Sequence, residues 1–284
     1  MNAIASLAVA RNPEAPRLQV EGLSIRFGGL AAVQDVSFHV HAGEVLAVIG
    51  PNGAGKTTLF NMVSGVYRPD AGHLRLHGED VNGRRPFELA RRGMSRTFQN
   101  LQVFFRLTVL ENVMIGRARW EKTHVLSDLL MLPSVRRQNA ATREAALRCL
   151  TRVGLAEDAE RIAGNLSYGA LKRLEIARAL ATEPEVLLLD EPAAGCNAVE
   201  TAEIDRLVRA IADSGTAIVL IEHDMKMVMR ISDRILVLDQ GRVLATGLPA
   251  DIRRDPRVVA AYLGTHADEV QTRSTASEAN HAAD

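Results

Sequence analysis

The run Gly50-Pro51-Asn52-Gly53-Ala54-Gly55-Lys56-Thr57 ends a glycine-rich turn in a lysine and a hydroxyl, and it fits the spacing G-x-x-x-x-G-K-[ST] in full. That spacing suits a phosphate chain. Backbone N–H groups along such a turn wrap phosphate oxygens, and the dipole of a helix starting behind it adds to the attraction. Lys56 would reach the β- and γ-phosphates and the Thr57 hydroxyl would ligate Mg²⁺, while Thr58 would offer a second hydroxyl or cap the helix. A turn that merely links strand to helix is the alternative; the complete pattern and its flanks count against it.

Two further strand-like runs end in reactive groups. Val186-Leu187-Leu188-Leu189 closes on Asp190-Glu191, and the apolar run ending at Ile221 closes on Glu222-His223-Asp224. Ligands of open α/β sheets collect beyond the carboxyl ends of strands, where all of these side chains would lie. Asp190 suits Mg²⁺, directly or through water, and Glu191 suits orienting or polarising an attacking water. An acid-rich helix N-terminus explains such a pair in isolation, but less well beside a phosphate loop. His223 would stand beside the γ-phosphate and hydrogen-bond it or the water. The other histidines have no such context.

The elements that must position these groups follow from periodicity. Leu18 to Phe27 and Val33 to Val40 alternate apolar and polar residues, as antiparallel strands covered on one face do. Val45 to Ile49 is apolar throughout, which predicts a parallel strand covered on both faces. A helix is expected from Gly55 to about Val66 and a short strand around His73 to Leu76. Between about Thr108 and Arg178 apolar residues recur at three and four positions with no convincing strand, predicting a helical subdomain inserted into an α/β core. Glu185–Leu189, Thr216–Ile221 and Arg234–Leu238 read as strands, with a helix between the first two, so the crossovers should be parallel. Asp239-Gln240-Gly241-Arg242 then turns the chain into Val243–Ala245.

Within the helical segment, LSYGALKRLEIARAL (Leu166 to Leu180) reads as a turn entering a helix. Leu171, Leu174, Ile176, Ala177 and Leu180 form a buried stripe, Ser167 sits at the N-cap, and Gly169 permits a close approach. Lys172, Arg173 and Glu175 are expected to face water. A bare helix N-terminus favours an anion, and the source of that anion has to be sought elsewhere.

Composition narrows the setting. Thirty-four basic residues balance thirty-four acidic ones in 284 residues, so no global positive field favours nucleic acid. Apolar residues make up 47% and charged residues 24%, ordinary for a globular chain, and no run approaches the ~18 apolar residues of a membrane span. Two cysteines, Cys149 and Cys196, fit a reducing compartment, with Cys149 read as a small buried hydrophobe. The first 16 residues are expected to be a flexible extension and residues 265–284 a disordered tail, with an ordered domain over 17–264 and the helical subdomain at about 108–178.

Phosphate loop, acidic pair, downstream histidine and LSYG together resemble the ATPase subunits of ABC transporters over about Arg17 to Gly264. The resemblance implies a P-loop NTPase (RecA-like) α/β core with an antiparallel β subdomain and an inserted helical one. It implies ATP and Mg²⁺ as ligands, and a head-to-tail dimer in which Ser167 and the Gly169 backbone contact the γ-phosphate held by the opposite subunit. The same match gives Gln99, in RTFQN, the role of a residue that senses Mg²⁺ and the attacking water. It puts Phe27 where an aromatic stacks on adenine, with a plain core phenylalanine as the competing reading, and Ala194-Gly195-Cys196-Asn197 at the subunit contact. The phrases RFGGLAAVQDVSF, SRTFQNLQVF and DPRVVAAYLG resemble the branched-chain amino acid branch in particular. Two membrane permeases, a second ATPase subunit (a copy or a paralogue), an indirect solute-binding protein and a place at the cytoplasmic face of the membrane follow from that likeness. A urea or amide importer is the nearest alternative, and a soluble ATPase acting on ribosomes or DNA a more distant one. Ala170 and Leu171 stand where the family usually has glutamine, and Cys196 and Ala198 where it has methionine and proline; a complete second subunit would accommodate both departures.

Overall fold

The computed structural model describes residues 15–118 and 133–262. The expected extension, except residues 15 and 16, the expected tail, and positions 119–132 of the helical segment lie outside the described residues.

Three strands are buried at every position: β3 (Val45–Ile49), β7 (Val186–Asp190) and β8 (Ala217–Ile221). Successive side chains point to opposite faces of a strand, so an all-apolar run needs two covers. The packing supplies them. Leu187 and Leu189 of β7 join a cluster with helical residues such as Leu150, Leu174 and Ile204, whereas Val186 and Leu188 join one with Leu18, Val36 and Phe60. The sheet that carries them runs β10-β9-β3-β8-β7-β6, with β9 (Arg234–Asp239) parallel to β3 and β6 (Met94–Arg96) parallel to β7. β10 (Arg242–Gly247) returns antiparallel to β9 through the turn expected at Gln240-Gly241.

β1 (Leu18–Phe27), β2 (Leu30–Val40), β4 (Ala71–Leu76) and the two-residue β5 (Glu79–Asp80) make a second, antiparallel sheet in the order β2-β1-β4-β5. It covers one face of the parallel sheet together with α1 (Lys56–Val63). α1 is shorter than the expected helix. Ser64 caps it, and Gly65 follows at φ 74, a left-handed conformation that ends the helical path. α2 (Pro86–Arg91) and β6 were not anticipated.

On the opposite face lie α3 (Val109–Gly116), α4 (Pro133–Arg152) and α5 (Tyr168–Leu180). Val109, Leu110, Val113, Ala146, Cys149, Leu150, Leu174 and Ala177 pack into one cluster there. Burial pushes the Cys149 thiol up from its ordinary value, as fits an apolar site. Between residues 108 and 178 the described residues contain no strand, only a single bridge from Thr108 to Ile162. α6 (Ala198–Asp213) links β7 to β8, and α7 (Met225–Ile231) leads into β9.

One expectation about α5 is overturned. Lys172 and Glu175 do not face water: they are 2% and 6% exposed, and ten of the thirteen residues of α5 are buried. The helix is wedged between the other helices and the strand ends, so its polar positions are buried with the apolar ones. Burial pushes the Glu175 carboxyl up from the usual range, while Lys172 and two backbone N–H groups act in the opposite direction.

Candidate functional site

β8 lies between β3 and β7, so three strand ends open side by side: the loop after β3, Asp190-Glu191 at β7, and Glu222-His223 after β8. Beyond them is a cleft of about 710 Å³. Asn52, Gly53, Ala54, Gly55, Lys56, Thr57 and Thr58 form its floor, and Gln99, Glu191 and His223 stand on one side. Leu30, Ala31, Ala32 and Gln34 of β2, with Gln240 and Gly241, close the other.

The loop enters α1 through Gly55 at φ 96. A side chain there would be strained and would put its Cβ 2.5 Å from the Ala32 carbonyl, so only glycine lets β2 approach this closely. Lys56, 7% exposed, donates to the carbonyl oxygens of Gly50 at 2.7 Å and Pro51 at 2.9 Å. Burial lowers its pKa, and the Glu191 charge opposes the shift. Its ammonium is therefore pre-placed inside the loop.

Glu191 leaves β7 at φ 50, a left-handed conformation that costs a non-glycine residue about 1–3 kcal/mol. Its N–H donates to Ile221 at 2.9 Å, which fixes the turn. The carboxylate faces the cleft and meets two other site residues. Gln99 Nε2 donates to Oε2 at 3.2 Å, and His223 Nε2 lies 2.9 Å from Oε1. Glu191 and His223, read at strand ends, and Gln99, implied by the resemblance, thus form one hydrogen-bonded group.

Asp190 is set behind them. Arg96 of β6 pairs with it at 2.8 Å, both side chains being nearly inaccessible, and the same guanidinium donates to Asn61 and Ser64. Sequence reading missed Arg96, which is 94 residues from its partner. It also gave no role to Glu222. This buried carboxylate accepts from the Ala193 N–H at 2.9 Å and the His223 N–H at 3.0 Å, fastening the loop after β7 to the loop after β8. Burial holds the Glu222 carboxyl up, against those hydrogen bonds, and the Glu191 charge adds to the rise.

A search for related proteins decides what this assembly belongs to. A family model described as ABC transporter matches residues 33–194, and one described as branched-chain amino acid ATP-binding cassette transporter matches residues 242–268. The chain belongs to the ABC transporter family. The high-affinity branched-chain amino acid transport ATP-binding protein LivG of Escherichia coli K12 is 48% identical over 88% of this chain and 98% of its own length. BraF of Pseudomonas aeruginosa, described in the same words, is 46% identical over the same shares. Among solved structures, the ADP conformation of MJ1267, an ATP-binding cassette of an ABC transporter, is 32% identical with a TM-score of 0.77, covering 88% of this chain and 100% of that one.

This ABC cassette is an ATPase with a P-loop NTPase fold, and the loop that matches the phosphate-binding spacing lines the cleft. Ser167 and Gly169 are not among the residues that line it. They sit at the head of α5, where Ser167 is exposed and its Oγ accepts from the Ala170 N–H at 3.3 Å. The Gly169 N–H donates to Glu200 Oε1 at 3.1 Å, and a Cβ on Gly169 would lie 2.5 Å from that carboxylate. The close approach expected of this glycine is thus made by a side chain of the same cassette. Phe27 ends β1 half-exposed, edge-on to Tyr67 at 5.4 Å between ring centroids, and is not among the cleft-lining residues. Tyr262, unforeseen, lies in the helix over 256–262 with its hydroxyl at the Gly50 N–H. Burial raises its pKa and that N–H works against the rise. No helix of the described residues is long and apolar enough to cross a membrane.

Proposed function

We propose that this chain powers the uptake of branched-chain or closely related amino acids, as one of two ATPase subunits docked on a pair of membrane permeases at the cytoplasmic face. The match of residues 242–268 to a segment model specific to branched-chain amino acid cassettes carries the solute assignment, and the identity with LivG and BraF along nearly their whole length supports it. A solute-binding protein would act upstream, and no nucleic acid is involved.

In this reading Lys56 and the loop from Gly50 to Thr58 hold the phosphates, with Lys56 and backbone N–H groups beyond Ala54 as the donors. Glu191 orients the attacking water, with Gln99 and His223 fixing the two oxygens of its carboxylate. Phe27 serves the adenine. Mg²⁺ fits the donors present: the Thr57 hydroxyl lines the cleft, and Asp190 offers an oxygen from behind it. Bound there, it would neutralise charge on the β- and γ-phosphates. The Arg96 pair keeps Asp190 aimed. Ser167 and Gly169 serve the nucleotide of the other subunit, which supplies the anion that the head of α5 favours.

The test is Glu191→Gln in the transporter assembled with its membrane partners. Phosphate release should fall by at least about 100-fold while ATP stays bound, because positioning of the water is lost and the phosphate cradle is not. Wild-type turnover would overturn the assignment. Leucine uptake into vesicles carrying the same assembly should fall with it; uptake of urea in place of leucine would redirect the solute.

A further inference from the structure

Lys172, 2% exposed, is the most deeply buried cation among the described residues, and the carboxylate that feels its charge, Glu175 on the same helix, makes no ion pair with it. Among the described residues no carboxylate lies within ion-pair distance of it. Its ammonium meets two main-chain carbonyls instead, Gln99 O at 3.3 Å and Glu191 O at 3.4 Å, with the Tyr168 ring 5.9 Å away. An ammonium so enclosed is costly unless every proton has a partner. Packing gives no reason to keep it, since a methionine would fill the same space.

Where it sits gives the reason. Gln99 and Glu191 are residues whose side chains bond each other at the cleft wall, at 3.2 Å. Lys172 Nζ bonds the carbonyl of each, so the three residues close a ring: ammonium to Gln99 O, Gln99 Nε2 to Glu191 Oε2, and Glu191 O back to the ammonium. Glu191 is also the residue in a left-handed conformation, which persists only where its surroundings hold it. Lys172 lies on α5, whose first turn contains Ser167 and Gly169.

The structure assigns Lys172 the role of a positioning residue, an ammonium that sets the spacing of Gln99 and Glu191 and ties it to α5 of the same chain. The assignment rests on the proposed role of Glu191 in hydrolysis. Its consequence is that each chain's contribution to its neighbour's nucleotide is wired to its own catalytic carboxylate. A shift of α5 as it meets the partner's phosphate moves Lys172, and with it the geometry of the water-orienting pair.

The experiment measures MgATP turnover by the full chain assembled with its membrane partners, for Lys172→Met, Lys172→Arg and Glu191→Gln. Rates are normalised to the sites that bind a non-hydrolysable ATP analogue, so unfolded protein does not count. Lys172→Met should lower kcat about tenfold or more with KM for ATP within about twofold, and Lys172→Arg, which keeps charged donors, should recover most of the rate. Lys172→Gln carries the same expectation as the methionine variant should that one fail to fold. An unchanged kcat, a loss confined to KM, or an arginine variant as slow as methionine overturns the assignment. If Glu191→Gln is inactive while Lys172→Met turns over normally, this inference alone falls; if Glu191→Gln is active, the reading of the site beneath it falls.

Discussion

The Gly50–Thr57 loop of the cleft and the head of α5 are both glycine-bearing turns opening onto helix N-termini, and both are chemically suited to phosphate. They differ in what their polar groups are doing. In the cleft, Lys56, Gln99, Glu191 and His223 converge on one space, each held by elements of the same chain. At α5, Ser167 faces solvent away from that space, and the Gly169 N–H is engaged by Glu200. The cleft is braced from behind by strand ends, which cannot shift without disturbing the sheet. At the α5 turn the Gly169 N–H is engaged by one side chain, Glu200, which a rotamer change would withdraw. A rigid cradle paired with a releasable contact is what a composite site asks of each contributor: bind first, then engage the neighbour.

The sharpest way to break the comparison is to disable each region and ask which step fails. Lys56→Met removes the charged donor of the cleft and should weaken ATP binding by the chain about a hundredfold, measured by titration with a fluorescent ATP analogue. Gly169→Ala should do the opposite. Its Cβ would meet Glu200 at 2.5 Å, so it should leave nucleotide affinity of the chain unchanged and lower turnover of the assembled transporter about tenfold. Pairing it with Glu200→Ala relieves the clash and should restore part of the rate. That second change also removes half of the Asn197–Glu200 capping box, at about 1 kcal/mol of stability. Equal loss of nucleotide affinity in Lys56→Met and Gly169→Ala would erase the distinction between the regions.

The same contrast separates what was legible in the sequence from what was not. β3, β7 and β8 could be read because strands covered on both faces are apolar without interruption, and their carboxyl ends carried the glycine-rich loop and the acids. The loop's spacing specifies its chemistry locally, so its residues could be named before their positions were known. Arg96 could not be found this way. Its meaning lies in an ion pair with a residue 94 positions away, on a three-residue edge strand too short to show alternation. α2, six residues long, is likewise too short for helical period, although Pro86 at its start and the Arg85–Glu88 cap mark it in retrospect. Lys172 was misread for a different reason. Periodicity divides a helix into an apolar and a polar face, and α5 is covered on nearly all sides, so its polar residues have to find partners inside. Glu200 shows the limit most plainly: a cap residue by its spacing from Asn197, it also reaches a glycine on another helix.

The smallest expected effect sharpens the statement that the cleft is braced from behind. Gly50 opens the phosphate loop, and its N–H is met by the hydroxyl of Tyr262, whose ring joins the cluster of Ala47, Ile49, Val237 and Val258. Tyr262→Phe keeps that ring in place and removes one oxygen, so it isolates the contact from the packing around it. A buried N–H left without a partner costs about 1–3 kcal/mol, part of it in stability and part in the loop geometry that nucleotide selects. ATP affinity should therefore fall about threefold, read by the same titration, with the thermal midpoint down by about 2–4 °C. A lower midpoint with unaltered affinity would mean that the helix over 256–262 only supports the sheet. A loss of affinity would make the terminal segment, within the stretch that distinguishes branched-chain amino acid cassettes, part of what holds the loop in shape for phosphate.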